Sequence, residues 1–149
     1  YLQPNTSLYF TKSVYDKMMK KELSKYQNQS TISITTDNYM EIMELIYNFP
    51  GTFEGKTVTY TGFVYNDPTT TGAQFLFRFG IIHCIADSGV FGLRTLNEGN
   101  SFPNNTWIKV TGQIQMAYYP PFKREIPIVK PQTLTQVEKP SNPYVYRTF

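Results

Sequence analysis

The chain has a single cysteine, Cys84, and a single histidine, His83, in 149 residues. No intramolecular disulfide can form, and no cysteine-rich zinc site can be assembled from this chain alone. It also lacks a run of about 18 apolar residues and a charged-then-apolar leader, so nothing in it reads as a spanning helix or a signal peptide. It is expected to be soluble as given. Charge is sparse: 17% of residues are charged and the formal net charge is +3, too modest for a nucleic-acid signature. No G-x-S-x-G elbow, phosphate-cradling glycine loop or H-E-x-x-H is present, so the chain reads as a binding domain rather than an enzyme. The sequence starts at Tyr1 without an initiator methionine, which suggests a piece of a longer protein.

What is abundant is aromatic. Tyr and Phe supply 12 and 11 residues, a composition suited to cross-strand ladders and recognition surfaces. Tyr15, Met19, Leu23 and Tyr26 recur at helical spacing opposite Lys12, Lys17, Lys20, Lys21 and Lys25, predicting an amphipathic helix packed on its own domain or lying on an anionic surface. Thr31 to Thr35 alternates as a short strand. A second helix is expected from Asp37 or Asn38, with Asn38 and Glu41 at capping-box spacing, an apolar face of Tyr39, Ile42, Met43 and Ile46, and Pro50-Gly51 as its end.

The period then changes to two. Strands are predicted from Phe53 to Tyr65, Gln74 to Cys84, Val90 to Leu96, Trp107 to Met116 and Ile126 to Val137. Gly62 and Gly112, each two residues before a β-branched residue, mark bends in the first and fourth strands. Pro127 and Pro131 place the first half of the fifth at an edge. The fold class is therefore mainly β, a five-stranded OB-like Greek-key barrel with one or two N-terminal helices. The organisation is residues 1–30 as a helical extension and 31–149 as the barrel domain, including a short helix at about 37–48.

Candidate sites follow from residue chemistry. Arg78 and Arg94, flanked by Phe75, Phe77, Phe79 and Phe91, lie on strands that bind ligands in OB barrels, so they are candidates for ligand or partner contact. The alternating phenylalanines read first as barrel interior. Tyr118 and Tyr119, in a Tyr-Tyr-Pro-Pro loop, and Tyr144 and Tyr146 in the tail are further contact candidates. His83, Cys84 and Asp87 have the chemistry of a zinc site or of a cysteine nucleophile. Strand neighbours face opposite ways, though, so His83 and Cys84 share a metal only if the chain bends there. Asn5, Asn28 and Asn104 head N-x-S/T triplets that matter only in a glycosylating host.

The ordered motifs F-E-G-K-T-V-T-Y-T-G-F-V (Phe53 to Val64), F-R-F-G-I-I-H-C-I-A-D-S (Phe77 to Ser88), W-I-K-V-T-G (Trp107 to Gly112) and P-Y-V-Y (Pro143 to Tyr146) resemble the C-terminal domain of the YcgQ-like family of bacterial membrane proteins. The resemblance spans roughly Ile32 to Tyr146. It implies an OB-like domain following N-terminal transmembrane helices, in a partner subunit of a membrane permease whose molecular function is uncharacterised. It implies a cell-membrane setting, with this domain on the extracytoplasmic side. Members of that family often carry two cysteines where this chain has His83-Cys84, so a metal role for His83 stays open. The leading expectation is an accessory domain contacting a permease, a small ligand or a metal ion through the Arg78 to Asp87 side. The alternatives are a redox or hydrolytic enzyme centred on Cys84, and single-stranded nucleic-acid binding.

Overall fold

The computed structural model describes residues 12–82 and 88–147. Helix α1 (Lys12–Ser24) is followed by β1 (Thr31–Ser33), α2 (Tyr39–Asn48) and the short α3 (Pro50–Phe53). Then come β2 (Thr57–Tyr65), β3 (Ala73–Ile81), β4 (Ser88–Leu96), β5 (Trp107–Tyr119), a 3-10 turn (Pro120–Phe122), β6 (Arg124–Gln136) and β7 (Tyr144–Tyr146). The expected mainly β architecture is what forms: β2, β3, β4, β6 and β5 close in that order into a five-stranded barrel. All barrel pairings are antiparallel except β4 with β6, which is parallel.

Closure depends on strands that change partner along their length. Thr57 to Thr59 of β2 lie beside β1, and Phe63 to Tyr65 lie beside β3. Gly62 sits at the handover, where a Cβ would come within 2.9 Å of the Phe77 carbonyl oxygen, so only glycine lets the two backbones meet. The bend expected in the fourth predicted strand is a register shift between Thr111 and Gly112 of β5. A Cβ at Gly112 would press on Val129 Cγ1 at 2.7 Å and Pro131 Cα at 2.8 Å. Strands β1 and β7 cover the parts of β2 and β3 that their barrel neighbours leave open, so the free ladder edges there are those of two three-residue strands.

Several local expectations change. Asn38 precedes α2 but makes no cap to it. Its Oδ1 instead accepts from the Thr35 N–H at 2.7 Å and its Nδ2 donates to the Ser33 carbonyl at 3.2 Å. The side chain serves the β1–α2 turn, and the capping box is not built. Pro50 starts a new helical turn at its favoured first position. β6 pairs with β5 from Arg124 to Lys130 and has β4 as a second neighbour only at Ile128 and Val129, so the stretch up to Pro127 is paired on one side only, as an edge; Pro131 falls opposite the bulge at Gly112, where the ladder is already interrupted. Tyr118 and Tyr119 end a strand rather than form a loop.

Alternation assigns the barrel's two faces. Val58, Tyr60 and Val64 of β2, Leu76, Phe91, Leu93, Ile108, Val110, Ile114 and Val129 join one fully buried core. Helix α2 seals it with Ile42, Met43, Leu45 and Ile46, and Met19 of α1 reaches the same cluster. Each fully buried aliphatic side chain is worth about 1.5–3 kcal/mol. The Arg147 guanidinium donates to the Glu44 carboxylate at 3.2 Å, tying the segment after β7 to α2.

Inside this core the Tyr60 hydroxyl accepts from the Leu93 N–H at 3.1 Å and donates to the Leu76 carbonyl at 3.0 Å. It stitches β2 to both β3 and β4. Tyr60→Phe strands that N–H in an apolar interior and should cost about 1–3 kcal/mol, read as a lower denaturation midpoint at unchanged slope.

Where α1 meets α2, burial and then a hydrogen bond to Glu22 push the Glu41 carboxyl up to about 7 from its ordinary 4.5. The hydrogen bonds from Glu41 and Lys25 hold Glu22 below its ordinary value. Folded protein therefore binds the Glu41 proton more tightly than unfolded chain. That contribution is fully present below pH 4.5 and is lost as pH rises through about 7. Denaturant titrations at pH 5 and pH 8 should show the native chain losing stability relative to Glu41→Gln.

Candidate functional site

The outer face of the barrel is aromatic. Phe63 and Tyr65 share the outward phase of β2 with half-buried Thr57, Thr59 and Thr61, while Val58, Tyr60 and Val64 between them point inward. On β3 the same alternation sends Phe75, Phe77 and Phe79 outward and Leu76 inward. The three phenylalanines read as barrel interior are therefore an outer wall. The reason is parity: a one-residue difference in strand phase exchanges the faces, and the run Phe75 to Phe79 has apolar residues in both phases.

The wall is a packed ring system. Phe75 stacks on Phe77 at 4.8 Å between centroids, Phe63 stacks on Phe79 at 5.1 Å, and Trp107 meets Phe63 edge-on at 5.6 Å. Tyr119 meets Phe75 edge-on at 5.7 Å, and the 3-10 turn brings Phe122 edge-on to Tyr119 at 5.0 Å. These arrangements are the favoured ones for ring quadrupoles. Ile126 and Ile128 of β6 complete the cluster. Tyr65, Phe79 and Phe122 are each more than 40% exposed, a degree that single-domain packing does not call for.

Two depressions flank the Phe63–Phe79 ridge. One, of about 510 Å3, is lined by Tyr65, Phe75, Phe77, Val90, Tyr119 and Phe122, with Tyr47 of α2 contributing. Tyr47 donates to the Gly92 carbonyl at 2.7 Å. The other, of about 420 Å3, is lined by Trp107, Asn105, Lys139, Pro143 and Tyr144. Both volumes lie within the range of about 300–1,000 Å3 typical of small-molecule sites.

The two candidate arginines differ. Arg78 is fully engaged: Nε donates to the Pro143 carbonyl at 3.2 Å, Nη2 to the Asn142 carbonyl at 3.0 Å and Nη1 to Thr36 Oγ1 at 3.1 Å. Its guanidinium lies 5.8 Å from the ring centres of both Tyr39 and Trp107, and burial lowers its pKa. It anchors the segment before β7 and lines a third, polar depression of about 320 Å3 with Thr61 and Glu138. Arg94 is directly opposite Phe75 in the ladder and so emerges on the wall. Its guanidinium carbon is 5.2 Å from the centre of the Tyr119 ring.

Tyr119 is itself held by a hydrogen bond from its hydroxyl to Asp67 in the β2–β3 loop. Burial, then this bond, pushes the phenol up to about 12. Burial alone would raise the Asp67 carboxyl, but hydrogen bonds from Tyr119 and from the Thr69 hydroxyl and N–H outweigh it and hold it below the ordinary range. The remaining tyrosine candidates separate: Tyr144 lines the second depression, while Tyr118 and Tyr146 are exposed and line neither wall depression.

His83, Cys84 and Asp87 lie outside the described residues. Among the described residues no group of three or more His, Cys, Asp or Glu could hold a metal ion. No helix among them is long and apolar enough to cross a membrane. Sequence reasoning missed Phe63, Tyr65, Trp107, Phe122 and Asp67. The signal that could have found the first two was Phe63-x-Tyr65 in phase opposite to Val58, Tyr60 and Val64.

The family model described as the DUF1980 C-terminal domain matches residues 9–147. A protein of Streptococcus mutans serotype c with the provisional name two-component membrane permease complex subunit is 51% identical over 149 residues, covering all of this chain and 55% of that protein. The UPF0703 protein YcgQ of Bacillus subtilis strain 168 is 43% identical over 151 residues, covering all of this chain and 53% of its own length. The chain thus spans about half the length of the curated relatives it matches.

Trp107 is the only tryptophan, so its emission reports on the wall. Phe63→Ala removes the ring packed edge-on against it and should shift the emission maximum to the red. Tyr118→Ala, at a residue 59% exposed and lining neither wall depression, should leave the spectrum unchanged.

Proposed function

Because the chain belongs to the family of the DUF1980 C-terminal domain, we propose that it is the binding domain of an accessory subunit in a membrane permease complex. In this reading it is an OB-type barrel that recognises its target through the outer aromatic wall and carries out no covalent chemistry. The observation that carries the proposal is that wall, with rings on three strands around a depression of about 510 Å3. An apolar concavity bordered by a few polar groups is the usual form of a recognition site.

Two further observations support the reading. The barrel order β2-β3-β4-β6-β5 with its parallel β4–β6 pair suits an OB-type Greek key, whose outer sheet face takes ligands. The S. mutans relative carries a permease-complex name and is similar along this whole chain. Membrane attachment and the permease partner are then properties of the longer protein, with this domain presented beside the membrane.

Co-purification tests it. Full-length protein extracted from membranes in mild detergent should bring down a polytopic permease subunit identified by mass spectrometry. Phe79→Glu on the exposed part of the wall should weaken any function of the assembled complex without unfolding the domain. Extraction of the full-length protein without a permease subunit, or from the soluble fraction, overturns the reading.

A further inference from the structure

Arg94 is the one feature of the wall that packing does not explain. It is 8% exposed, and among the described residues it makes no hydrogen bond or ion pair; its Nε is buried with no acceptor. The other arginines with buried side chains have partners that Arg94 lacks: Arg78 donates from all three of its nitrogens, and Arg147 is ion-paired with the Glu44 carboxylate. A guanidinium carries five N–H donors, and the one at Nε is taken out of water with no acceptor, which is costly. The Tyr119 ring beneath Arg94 satisfies the cation's charge in part, but it offers no acceptor in line with the N–H groups. The Asp67 carboxylate feels the Arg94 charge, but its hydrogen bonds come from the Tyr119 hydroxyl and from Thr69 and none from Arg94.

Ladder register directs this cation. Arg94 lies opposite Phe75 on one side and Ile128 on the other, and opposed residues of paired strands share a face. Phe75 and Tyr119 both line the depression of about 510 Å3; Arg94 is not itself a lining residue but packs against these two, one side chain back from the cavity.

We propose that the aromatic wall binds a small organic anion with a flat or apolar body, its acidic group accepting hydrogen bonds from Arg94 and its body lying against Phe75, Phe77 and Phe79. The proposal rests on the wall's being a recognition surface and names the class of ligand it takes. Arg94 is matched to a planar two-oxygen acceptor, since the guanidinium fork donates to such a group in pairs. The stacked rings supply faces for the body, and a neutral molecule of the same shape leaves the Arg94 donors unsatisfied. Charge therefore sets the preference and the rings set the shape.

The test uses two probes with the same ring system, 8-anilinonaphthalene-1-sulfonate and the uncharged N-phenyl-1-naphthylamine, titrated into the purified chain. The sulfonate should bind saturably with one-to-one stoichiometry. Arg94→Gln should weaken it by about tenfold or more and leave the uncharged probe within about twofold; Arg94→Lys should recover part of the loss. Lys109→Gln, an exposed lysine on the same face, should change neither. In the unmutated chain the Arg94 Nε–H resonance should move with the sulfonate and stay still with the uncharged probe, which keeps the test valid should the variant unfold. Equal affinity of both probes in the native chain, a still Arg94 resonance, or binding of neither probe overturns the inference. None of those outcomes touches permease co-purification, and a failed co-purification with sulfonate binding intact removes only the permease reading.

Discussion

The barrel is closed by a short parallel contact, Arg94 with Ile128 and Thr95 with Val129. Parallel pairing needs the two strands to arrive from the same end, which is why the chain must travel from β4 through the whole of β5 before β6 can reach it. The long antiparallel β5–β6 ladder, interrupted only at Gly112, carries β6 around to that position. Once the contact is made, inside and outside are defined for every strand at once. Thr95 and Val129 face the core, and Arg94 and Ile128 face the wall.

That division explains how one sequence supports two apolar surfaces. The inner core draws residues from all five barrel strands and is completed by α2, so the barrel has its own sufficient source of burial. The outer cluster of Phe63, Phe75, Phe77, Trp107, Tyr119, Ile126 and Ile128 is buried as well, and what stays open is its margin, Tyr65, Phe79 and Phe122. The cluster's ring geometry is ordered: each of Phe63, Phe75, Phe77 and Tyr119 contacts at least one other ring in a stacked or edge-on arrangement.

The strands were legible in the sequence because their period-two pattern is strong and their ends carry turn residues; all five predicted barrel strands overlap observed ones. The bends at Gly62 and Gly112 were legible because glycine inside a strand has few other uses. The faces were not. In Phe75 to Phe79 every position but Arg78 is apolar, so alternation gives no phase, and only the pairing with β2 and β4 assigns it. Asn38 and Glu41 had the right spacing for a cap, yet spacing does not see that the turn before α2 needs the same amide more. The two arginines were indistinguishable by type and context; what separates them is the Asn142–Pro143 backbone 64 and 65 residues away in sequence, a contact no local pattern records.

The contrast between those arginines also bears on how the wall came to be polar at one point. Arg78 is bound to the chain from three directions and behaves as a strut: its removal would release the segment that delivers Tyr144 to the second depression. Arg94 packs on the Tyr119 ring and faces the Asp67 charge but, among the described residues, donates no hydrogen bond. A residue retained only for packing beside Tyr119 would be served by an uncharged side chain of similar length, which stacks without desolvating a cation. On the proposal above, a guanidinium there serves an anion that accepts from it. Tyr119, fixed by Asp67, holds its ring 5.2 Å from the Arg94 guanidinium carbon, and on that proposal a side chain already packed in place limits the entropy lost on binding.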